Sequence, residues 1–326
     1  MFKLNSKLFE CNGCIMNASG AKCTTEEELD ELSNSSSCCI VTKSCTLDYR
    51  EGNPHPRWYC PNMNYMKSSI SINSMGLPNL GYKFYADYIK NKKNDKPCII
   101  SIAGTSMDEG LQILNNLLEQ SDPNYKNIYE INMSCPNIIG KPQIGYDFQA
   151  VDKYLTSIDE ILYKFTKDFQ FNNYSYGIKL PPYFDLIHFE QISEIINKHN
   201  PSFVTCINSI GNGLIIDTYN EMVAIRPKNG LGGIGGGVIK STALANIYMF
   251  NKLLKKDIFI IGCGGIQTGE DIFQHILAGA DSVQIGTQLM MEGPKCFNRL
   301  QKELKYIMTK KGYFDINEFR GKLKTY

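Results

Sequence analysis

Strand-like apolar segments alternate with amphipathic helical segments along nearly the whole of this 326-residue sequence. Such alternation is typical of parallel β-strands joined by right-handed helical crossovers. Eight units of this kind can close into a (β/α)8 TIM barrel. We therefore predict an α/β protein with this barrel, and a doubly wound open sheet is the alternative. The predicted strands are Cys14–Ala18, Cys39–Thr42, Cys98–Ala103, Ile128–Ile131, Tyr176–Leu180, Phe203–Ile207, Ile258–Ile261 and Ser282–Ile285.

No internal repeat, low-complexity tract or linker divides the chain, so we expect residues 1–326 to form a single domain. The longest excursion, Cys45–Gly81, follows the second strand and has no obvious helix of its own. Excursions of this length are usually functional loops, and we predict a long loop insertion there. The predicted helices are Glu26–Leu32, Tyr82–Ile89, Asp108–Gln120, Phe148–Lys164, Asp185–Lys198, Thr242–Leu254, Thr268–Leu277 and Lys295–Thr309.

Charge and cysteine usage narrow the class of protein. With 34 basic and 33 acidic residues the net charge is +1, which argues against binding to nucleic acid or to an anionic membrane. The first ten residues carry no apolar signal segment, and no run of eighteen apolar residues exists. The 12 cysteines are scattered, and the single C-x-x-C, Cys11–Cys14, has no partner motif. We expect free thiols, a cytoplasmic protein and no metal site.

Polar residues cluster where the predicted strands end. In a barrel, the carboxyl ends of the strands form the active-site face. Carboxamides, lysines, small hydroxyls and glycines dominate there, a mixture that favours a flat, anionic, hydrogen-bonding heterocycle over a metal or a sugar. These residues are Asn17, Ser19, Gly20, Lys43, Ser44, Asn132 to Asn137, Lys179, Asn208, Ser209, Gly264, Gly265, Gly286 and Thr287.

Two glycine-rich stretches have different interpretations. The glycines after strands seven and eight lie where barrels often bind phosphate, although each pair could also be a plain turn. Gly230–Gly235 matches G-x-G-x-x-G literally, but it does not follow a strand and no acidic residue ends a strand about twenty residues later. We therefore interpret this segment as a flexible loop near a cofactor, not as a dinucleotide site.

Cys135 stands out at the end of strand four, between Asn132 and Asn137. Pro136 lacks an amide hydrogen and disfavours helical geometry at Cys135, which predicts an exposed, turn-like loop. A thiol held between two carboxamides is a candidate reacting group. A loop cysteine without a role is the alternative when this residue is taken alone.

A series of motifs runs through the chain in order, from about residue 12 to its end. They are Met16–Gly20, Thr42–Thr46, Gly52–Arg57, Ile72–Gly81, Asn132–Asn137, Gly177–Asp185, Cys206–Gly213, Gly262–Gly265, Gly269–Asp271 and Gln284–Thr287. Together they resemble the dihydroorotate dehydrogenase family, class 1A, the cytosolic and fumarate-dependent branch. The ordered set is specific, whereas no single motif is decisive.

The resemblance implies an FMN-binding barrel that oxidises (S)-dihydroorotate to orotate in de novo pyrimidine (UMP) biosynthesis and is reoxidised by fumarate, which becomes succinate. It implies Cys135 as the catalytic base and a homodimer. The residues implied to bind substrate are Lys43, Asn73, Met75, Gly76, Leu77, Asn132, Asn137, Asn208 and Ser209. Those implied to bind FMN are Ala18, Ser19, Gly20, Lys43, Ser44, Asn132, Lys179, Ile207, Gly236, Gly237, Gly264, Gly265, Gly286 and Thr287.

The implied chemistry suits these residue types. The C5 proton of dihydroorotate lies next to a carbonyl, so a positioned base can remove it while hydride leaves C6 for the flavin. A thiol is mostly protonated at neutral pH, so we expect activity to rise with pH. Lys179 is expected to stabilise negative charge on the N1 side of the flavin.

Three other functions remain open from the sequence. An NAD-linked catalytic subunit also uses cysteine, and another FMN-dependent pyrimidine reductase would share the barrel. A non-enzymatic nucleotide-binding barrel would keep the glycines without needing Cys135. The chain departs from the family pattern at Cys11–Gly13 and Ser241, where prolines are expected, and both changes concern turn stiffness only.

Overall fold

The computed structural model describes residues 3–5, 10–61, 69–121, 126–134, 143–169 and 173–326. Within these residues eight strands form one parallel sheet that curls into a nearly closed barrel, which confirms the predicted fold class. The strands, numbered one to eight here, are Ile15–Asn17, Ile40–Val41, Cys98–Ile102, Asn127–Asn132, Tyr174–Lys179, Phe203–Cys206, Phe259–Cys263 and Ser282–Ile285. Their order around the barrel follows the chain, so each strand lies beside the next one.

The seam between strands one and two is closed by a side chain. Asn17 is fully buried, and its Nδ2 donates to the carbonyl of Val41 at 2.6 Å while its Oδ1 accepts from the Val41 amide at 2.9 Å. The carboxamide thus imitates a backbone peptide at the point where the two short strands do not pair with each other. Below it, the amide of Cys38 donates to the carbonyl of Ile15 at 2.8 Å.

Helices pack around the barrel between successive strands and bury their apolar faces against it. Polar residues cap several of them: Thr25, Ser106, Asp185 and Thr268 each accept a backbone amide from the first turn. The helices are Glu26–Ser33, Tyr82–Asn91, Met107–Glu119, Phe148–Phe169, Leu186–His199, Lys240–Leu253, Gly269–Ala278, Thr287–Glu292 and Lys295–Lys311. The predicted helices all occur; the short Thr287–Glu292 was not predicted.

The inside of the barrel has an apolar floor and a polar upper part. Side chains at alternate positions of a strand point inward, and Ile99, Ile128, Phe203 and Ile261 form part of the lower cluster. Two residues further along their strands lie Ser101, Glu130, Thr205 and Cys263, all buried. The inward-facing side chains thus change from apolar in one layer to mostly polar in the next. This change marks the end of the barrel that can bind a ligand.

A second, antiparallel sheet lies at the carboxyl ends of the barrel strands. It joins Trp58–Tyr59 and Ser71–Asn73 of the insertion to Ile210–Gly213 and Gly232–Gly235, which follow strand six. The insertion after strand two is therefore present, and it contains strands. The interpretation of the glycine-rich segment as a flexible loop is wrong for residues 232–235.

Close backbone approach explains why this strand is built from glycine. A Cβ added to Gly232 would lie 2.6 Å from the carbonyl oxygen of Asn73, and one added to Gly233 would lie 2.2 Å from the hydroxyl of Ser209. A side chain at Gly232 would disturb the pairing with Ser71–Asn73, and one at Gly233 would displace Ser209.

Two short strand pairs complete the structure. Lys3–Asn5 pairs with Glu10–Asn12, and Ile216–Asp217 pairs with Met222–Val223. No helix within the described ranges has the length and apolar character that a membrane crossing requires.

Candidate active site

A chain of hydrogen bonds crosses the barrel just below its carboxyl end. Lys179 Nζ donates to Gln284 Oε1 at 2.7 Å, and Gln284 Nε2 donates to Glu130 Oε2 at 2.9 Å. The Thr205 hydroxyl donates to the same Glu130 oxygen at 2.7 Å. Lys179 is 3% exposed, and Glu130 and Gln284 are fully buried. A lysine and a carboxylate are thus linked inside the barrel by one carboxamide.

The charge of Lys179 reflects two opposing effects. Burial lowers the pKa of this ammonium group, whereas Cys263, 3.6 Å from Nζ, and Glu130 raise it, and the net direction is upward. Burial also raises the pKa of the Cys263 thiol, which disfavours its thiolate form. Glu130 is the carboxylate that is linked to Lys179 through Gln284.

Carboxamides at the ends of strands four and six orient one another. Asn132 Oδ1 accepts from the amide of Ser134 at 3.1 Å and from its hydroxyl at 2.8 Å. Asn208 Nδ2 donates to the Ser134 hydroxyl and, at 3.5 Å, to Asn132 Oδ1. The Ser209 amide donates to Asn208 Oδ1 at 2.8 Å. The structure thus brings Asn132, Asn208 and Ser209 together at the ends of strands four and six.

Ser134 belongs to the strand-end cluster Asn132 to Asn137 that the sequence predicts, but no role was predicted for it. It is 5% exposed and connects the two carboxamides. Its position in the motif Asn132–Asn137 was the available signal, because a hydroxyl two residues after a strand-ending Asn can bond back to that side chain. Cys135 and Asn137 lie outside the described residues, directly after Ser134.

The segment from Asn73 to Leu77 is held in a defined conformation beside the second sheet. Asn73 Nδ2 donates to the carbonyl of Gly233 at 3.1 Å. The amide of Asn53 donates to the carbonyl of Met75 at 2.8 Å. Gly76 and Leu77 both have positive φ, +72° and +58°. A Cβ on Gly76 would lie 2.5 Å from the Asn53 side chain, so a larger residue would not fit.

The ends of strands one and two contribute a hydroxyl cluster and a second lysine. Ser44 Oγ lies 3.4 Å from Ser19 Oγ and 2.9 Å from Ser101 Oγ. Lys43 is 5% exposed, and a Cβ added to Gly20 would lie 3.9 Å from its Nζ. Ala18 joins strand eight through its amide, which donates to the carbonyl of Ile285 at 2.9 Å. Two buried lysines therefore face the same end of the barrel.

The predicted phosphate-binding glycines fall into two groups. Gly264 and Gly265 have positive φ, and a Cβ on Gly265 would lie 2.4 Å from that of Lys240, so internal packing already requires glycine there. A Cβ on Gly286 would have one neighbour within 4 Å, the Cβ of Ala18 at 3.9 Å. A Cβ on Gly20 would likewise have only the Nζ of Lys43, also at 3.9 Å, so both would point into open space. These two glycines leave a cradle that an approaching ligand can use.

The second sheet reaches the same cradle. Ser71 Oγ lies 2.8 Å from Thr287 Oγ1, and Ser69 Oγ accepts from the amide of Gly237 at 3.0 Å. Gly236 has φ +87°, and a Cβ there would lie 2.7 Å from the carbonyl of Ser69. Ile207 is buried, and its amide donates to the carbonyl of Cys263 at 2.8 Å. The described residues predicted to bind cofactor thus surround one end of the barrel.

Comparison with known proteins agrees with this geometry. The family model for dihydroorotate dehydrogenase matches residues 2–308. A Lactococcus lactis protein named dihydroorotate dehydrogenase A (fumarate) is 50% identical over 315 residues, covering 95% of this chain and 95% of its own. A Streptococcus pneumoniae protein named probable dihydroorotate dehydrogenase A (fumarate) is 48% identical over 319 residues, which cover 97% of this chain and 96% of that protein.

Solved structures support the fold. The Eimeria tenella dihydroorotate dehydrogenase in complex with ferulenol superposes with a TM-score of 0.77 at 17% identity, over 98% of this chain and 88% of that one. Enzymes of the matched family are flavin-dependent, in keeping with the buried lysines and the open glycine cradle. The extent of the match, together with the arrangement of the strand ends, shows that this chain belongs to the dihydroorotate dehydrogenase family.

Proposed function

We propose that this chain oxidises (S)-dihydroorotate to orotate in pyrimidine biosynthesis and passes the electrons to fumarate, giving succinate. The observation that carries the proposal is the 50% identity with dihydroorotate dehydrogenase A (fumarate) over 95% of both chains. The site supports it, because two buried lysines and a set of mutually oriented carboxamides suit an anionic pyrimidine.

FMN is the flavin that we assign to this site. Its phosphate would take the backbone amides around Gly264, Gly265, Gly286 and Thr287, where the open cradle at Gly286 fits an approaching anion. Gly236 and Gly237 would be further contacts of the flavin. Its ring would lie near Lys43, Lys179 and Ile207, with Ala18, Ser19, Gly20, Ser44 and Asn132 completing the set. FMN supplies hydride acceptance when bound; the protein supplies position and charge.

The substrate would be held by carboxamides and backbone amides. Asn132 and Asn208 are already fixed by Ser134, so little side-chain entropy is lost when they bind the pyrimidine. We assign the same substrate-binding role to Asn137 and Ser209. The Asn73 side chain and the backbone amides of Met75, Gly76 and Leu77 would also contact the substrate. Lys43 would pair with the substrate carboxylate.

Cys135 is assigned as the general base that takes the C5 proton. An unperturbed thiol has a pKa of about 8.5 and is mostly protonated at neutral pH. Activity is therefore expected to rise with pH as the thiolate forms.

We further propose a single-domain, cytoplasmic protein that forms a homodimer. The hairpin of Ile216–Asp217 and Met222–Val223 carries exposed apolar residues, with Ile216 61%, Tyr219 92% and Met222 57% exposed. Exposed apolar patches of this kind mark protein interfaces. Light scattering after size exclusion should give twice the 36.8 kDa chain mass, and Ile216→Asp should shift it to the monomer.

The decisive experiment is anaerobic reduction of the purified, FMN-loaded protein by dihydroorotate, followed by separate addition of fumarate, NAD and a quinone. We expect dihydroorotate to bleach the flavin absorbance and fumarate to restore it. Restoration by NAD alone would assign the NAD-linked branch instead. Protein that binds no flavin, or flavin that dihydroorotate does not bleach, would overturn the proposal.

A further inference from the structure

A carboxylate inside the barrel is the feature that the proposed chemistry leaves unexplained. Glu130 is fully buried in strand four, and its side chain bonds across the barrel to Thr205 on strand six and Gln284 on strand eight. The interior of such barrels is ordinarily filled by branched apolar residues. A buried carboxylate costs several kcal/mol unless it is paired. Its presence therefore needs a partner.

The hydrogen bonds identify that partner. Thr205 and Gln284 both donate to Glu130 Oε2, as expected for an acceptor that carries charge. Gln284 presents its other end, Oε1, to Lys179 Nζ at 2.7 Å. One carboxamide thus contacts the anion with its donor and the cation with its acceptor. Among the described residues, Glu130 Oε1 has no hydrogen-bond partner, so the whole polar contact of this carboxylate is made on the side facing Gln284 and Thr205.

The other titratable groups that face Lys179 are weaker counter-charges than a carboxylate at neutral pH. They are the thiols of Cys206 and Cys263, from strands six and seven. Burial raises the pKa of both thiols, so their thiolate forms are disfavoured. Without Glu130, the ammonium of Lys179 would keep only these two thiols as counter-groups.

We propose that Glu130 and Gln284 are positioning residues that hold the Lys179 ammonium, charged and directed, beneath the flavin end of the barrel. Glu130 supplies the counter-charge from strand four, and Gln284 sets the direction of Nζ from strand eight. We call the hydrogen-bonded series Glu130–Gln284–Lys179 the relay. The inference rests on the proposed function only where it assigns the charge of Lys179 to the flavin, because the relay itself belongs to the protein alone.

The charge of Lys179 can be measured without flavin. In apoprotein labelled with 15N at lysine Nζ, the Lys179 resonance is assigned by its loss in Lys179→Arg and then followed with pH. Glu130→Gln, which keeps the shape and removes the charge, should weaken proton binding at Lys179 at least tenfold, that is, move its titration down by about one pH unit. Thr205→Val removes one hydrogen bond and keeps both charges, so it should leave the titration where it is.

The outcome that overturns the proposal is an unchanged Lys179 titration in Glu130→Gln. If this variant does not fold, Gln284→Met provides the second test, because it breaks the link and leaves both charged residues in the chain. A lower titration midpoint in Gln284→Met supports the relay, and an unchanged one overturns it.

A second measurement separates the relay from the flavin assignment. Sulfite forms an adduct with oxidised flavin, and the adduct is stabilised by positive charge near the ring. In FMN-loaded Glu130→Gln, Lys179 should lose its charge at a lower pH than in wild type. The ratio of the sulfite Kd of this variant to that of wild type should therefore rise with pH. Taking the ratio removes the effect of the titration of sulfite itself. A flat ratio combined with a shifted Lys179 titration would leave the relay standing and remove Lys179 from the flavin.

Discussion

Individual residues at the strand ends are placed by hydrogen bonds that the sequence does not display. Ser134 fixes Asn132 and Asn208, and Gln284 fixes Lys179. The sequence predicted the carboxamides and lysines because polar residues at the end of an apolar strand are unusual. It did not predict the roles of Ser134, Gln284 or Glu130, because these roles depend on contacts between strands far apart in the chain.

Replacing the assigned base tests the chemistry at one atom. Cys135→Ala should lower kcat on dihydroorotate by about 10²–10⁴-fold, the usual contribution of a general base, with FMN content unchanged. Steady-state kinetics and the flavin spectrum measure the two effects. Cys60→Ala, a change of a half-buried cysteine in the insertion, is the matched control and should retain activity. Full activity of Cys135→Ala would exclude this residue as the base.

The open glycine cradle gives a second residue-level prediction. Gly20→Ala adds a methyl group that meets only the Lys43 ammonium at 3.9 Å, so the apoprotein should keep its thermal midpoint. FMN should bind about tenfold more weakly, a loss of about 1.4 kcal/mol, because the methyl group enters the cofactor space. Flavin titration and thermal denaturation measure these effects.

Gly177→Ala is the contrasting control. Its Cβ would lie 2.4 Å from the Phe203 ring in the barrel floor, so it should lower the thermal midpoint of the apoprotein. Equal FMN affinity in Gly20→Ala and wild type would show that the cofactor does not approach this glycine.

At the level of elements, the Asn17 side chain makes two of the hydrogen bonds that join strands one and two. Asn17→Leu would leave both the amide and the carbonyl of Val41 buried without partners. Each unsatisfied group costs roughly 1–3 kcal/mol, so unfolding free energy should fall by about 2–5 kcal/mol in urea titration. Asn115→Ala removes an exposed bond to Glu119 and should change stability by less than about 0.5 kcal/mol. Equal stability of the two variants would contradict the closing role of Asn17.

The elements themselves were largely predictable from the sequence, and the second sheet was not. Apolar runs located all eight barrel strands, since each run must be buried between helices and barrel interior. The strand Gly232–Gly235 consists mostly of glycine, which has low strand propensity. Its pairing with Ser71–Asn73 joins segments about 160 residues apart. A local sequence pattern cannot predict a pairing between segments so distant in the chain.

At the level of the whole molecule, the C-terminal segment is fastened beside the start of strand eight and the helix Gly269–Ala278. Arg320 Nη1 lies 3.1 Å from Asp281 Oδ1, and the amide of Gly321 donates to the carbonyl of Ile276 at 3.0 Å. Burial raises the pKa of Asp281 to about 6, although Arg320 opposes the shift. The folded state therefore holds this proton more tightly than the unfolded state. The contribution of Asp281 to stability is fully present below pH 3.8 and is lost as pH rises through about 6.

This arrangement predicts a pH-dependent effect of removing the guanidinium. Arg320→Met leaves the ionised Asp281 without its cation, so the loss of unfolding free energy should be larger at about pH 7.5 than at about pH 4.5. Urea titrations at both pH values measure the difference. Lys322→Met, two residues further along the same tail, should show no such difference. Equal losses for Arg320→Met at both pH values would contradict the electrostatic role.

The pairing of Ser71–Asn73 with Gly232–Gly235 makes two distant excursions of the chain a single structural unit. Exchanging either excursion alone with that of a relative would replace one half of a shared hydrogen-bonded ladder. Chimaeras that transplant both excursions together should therefore retain the second sheet at the carboxyl end of the barrel. Transplanting one excursion alone should disrupt that sheet, and with it both the proposed substrate contacts and the proposed cofactor contacts.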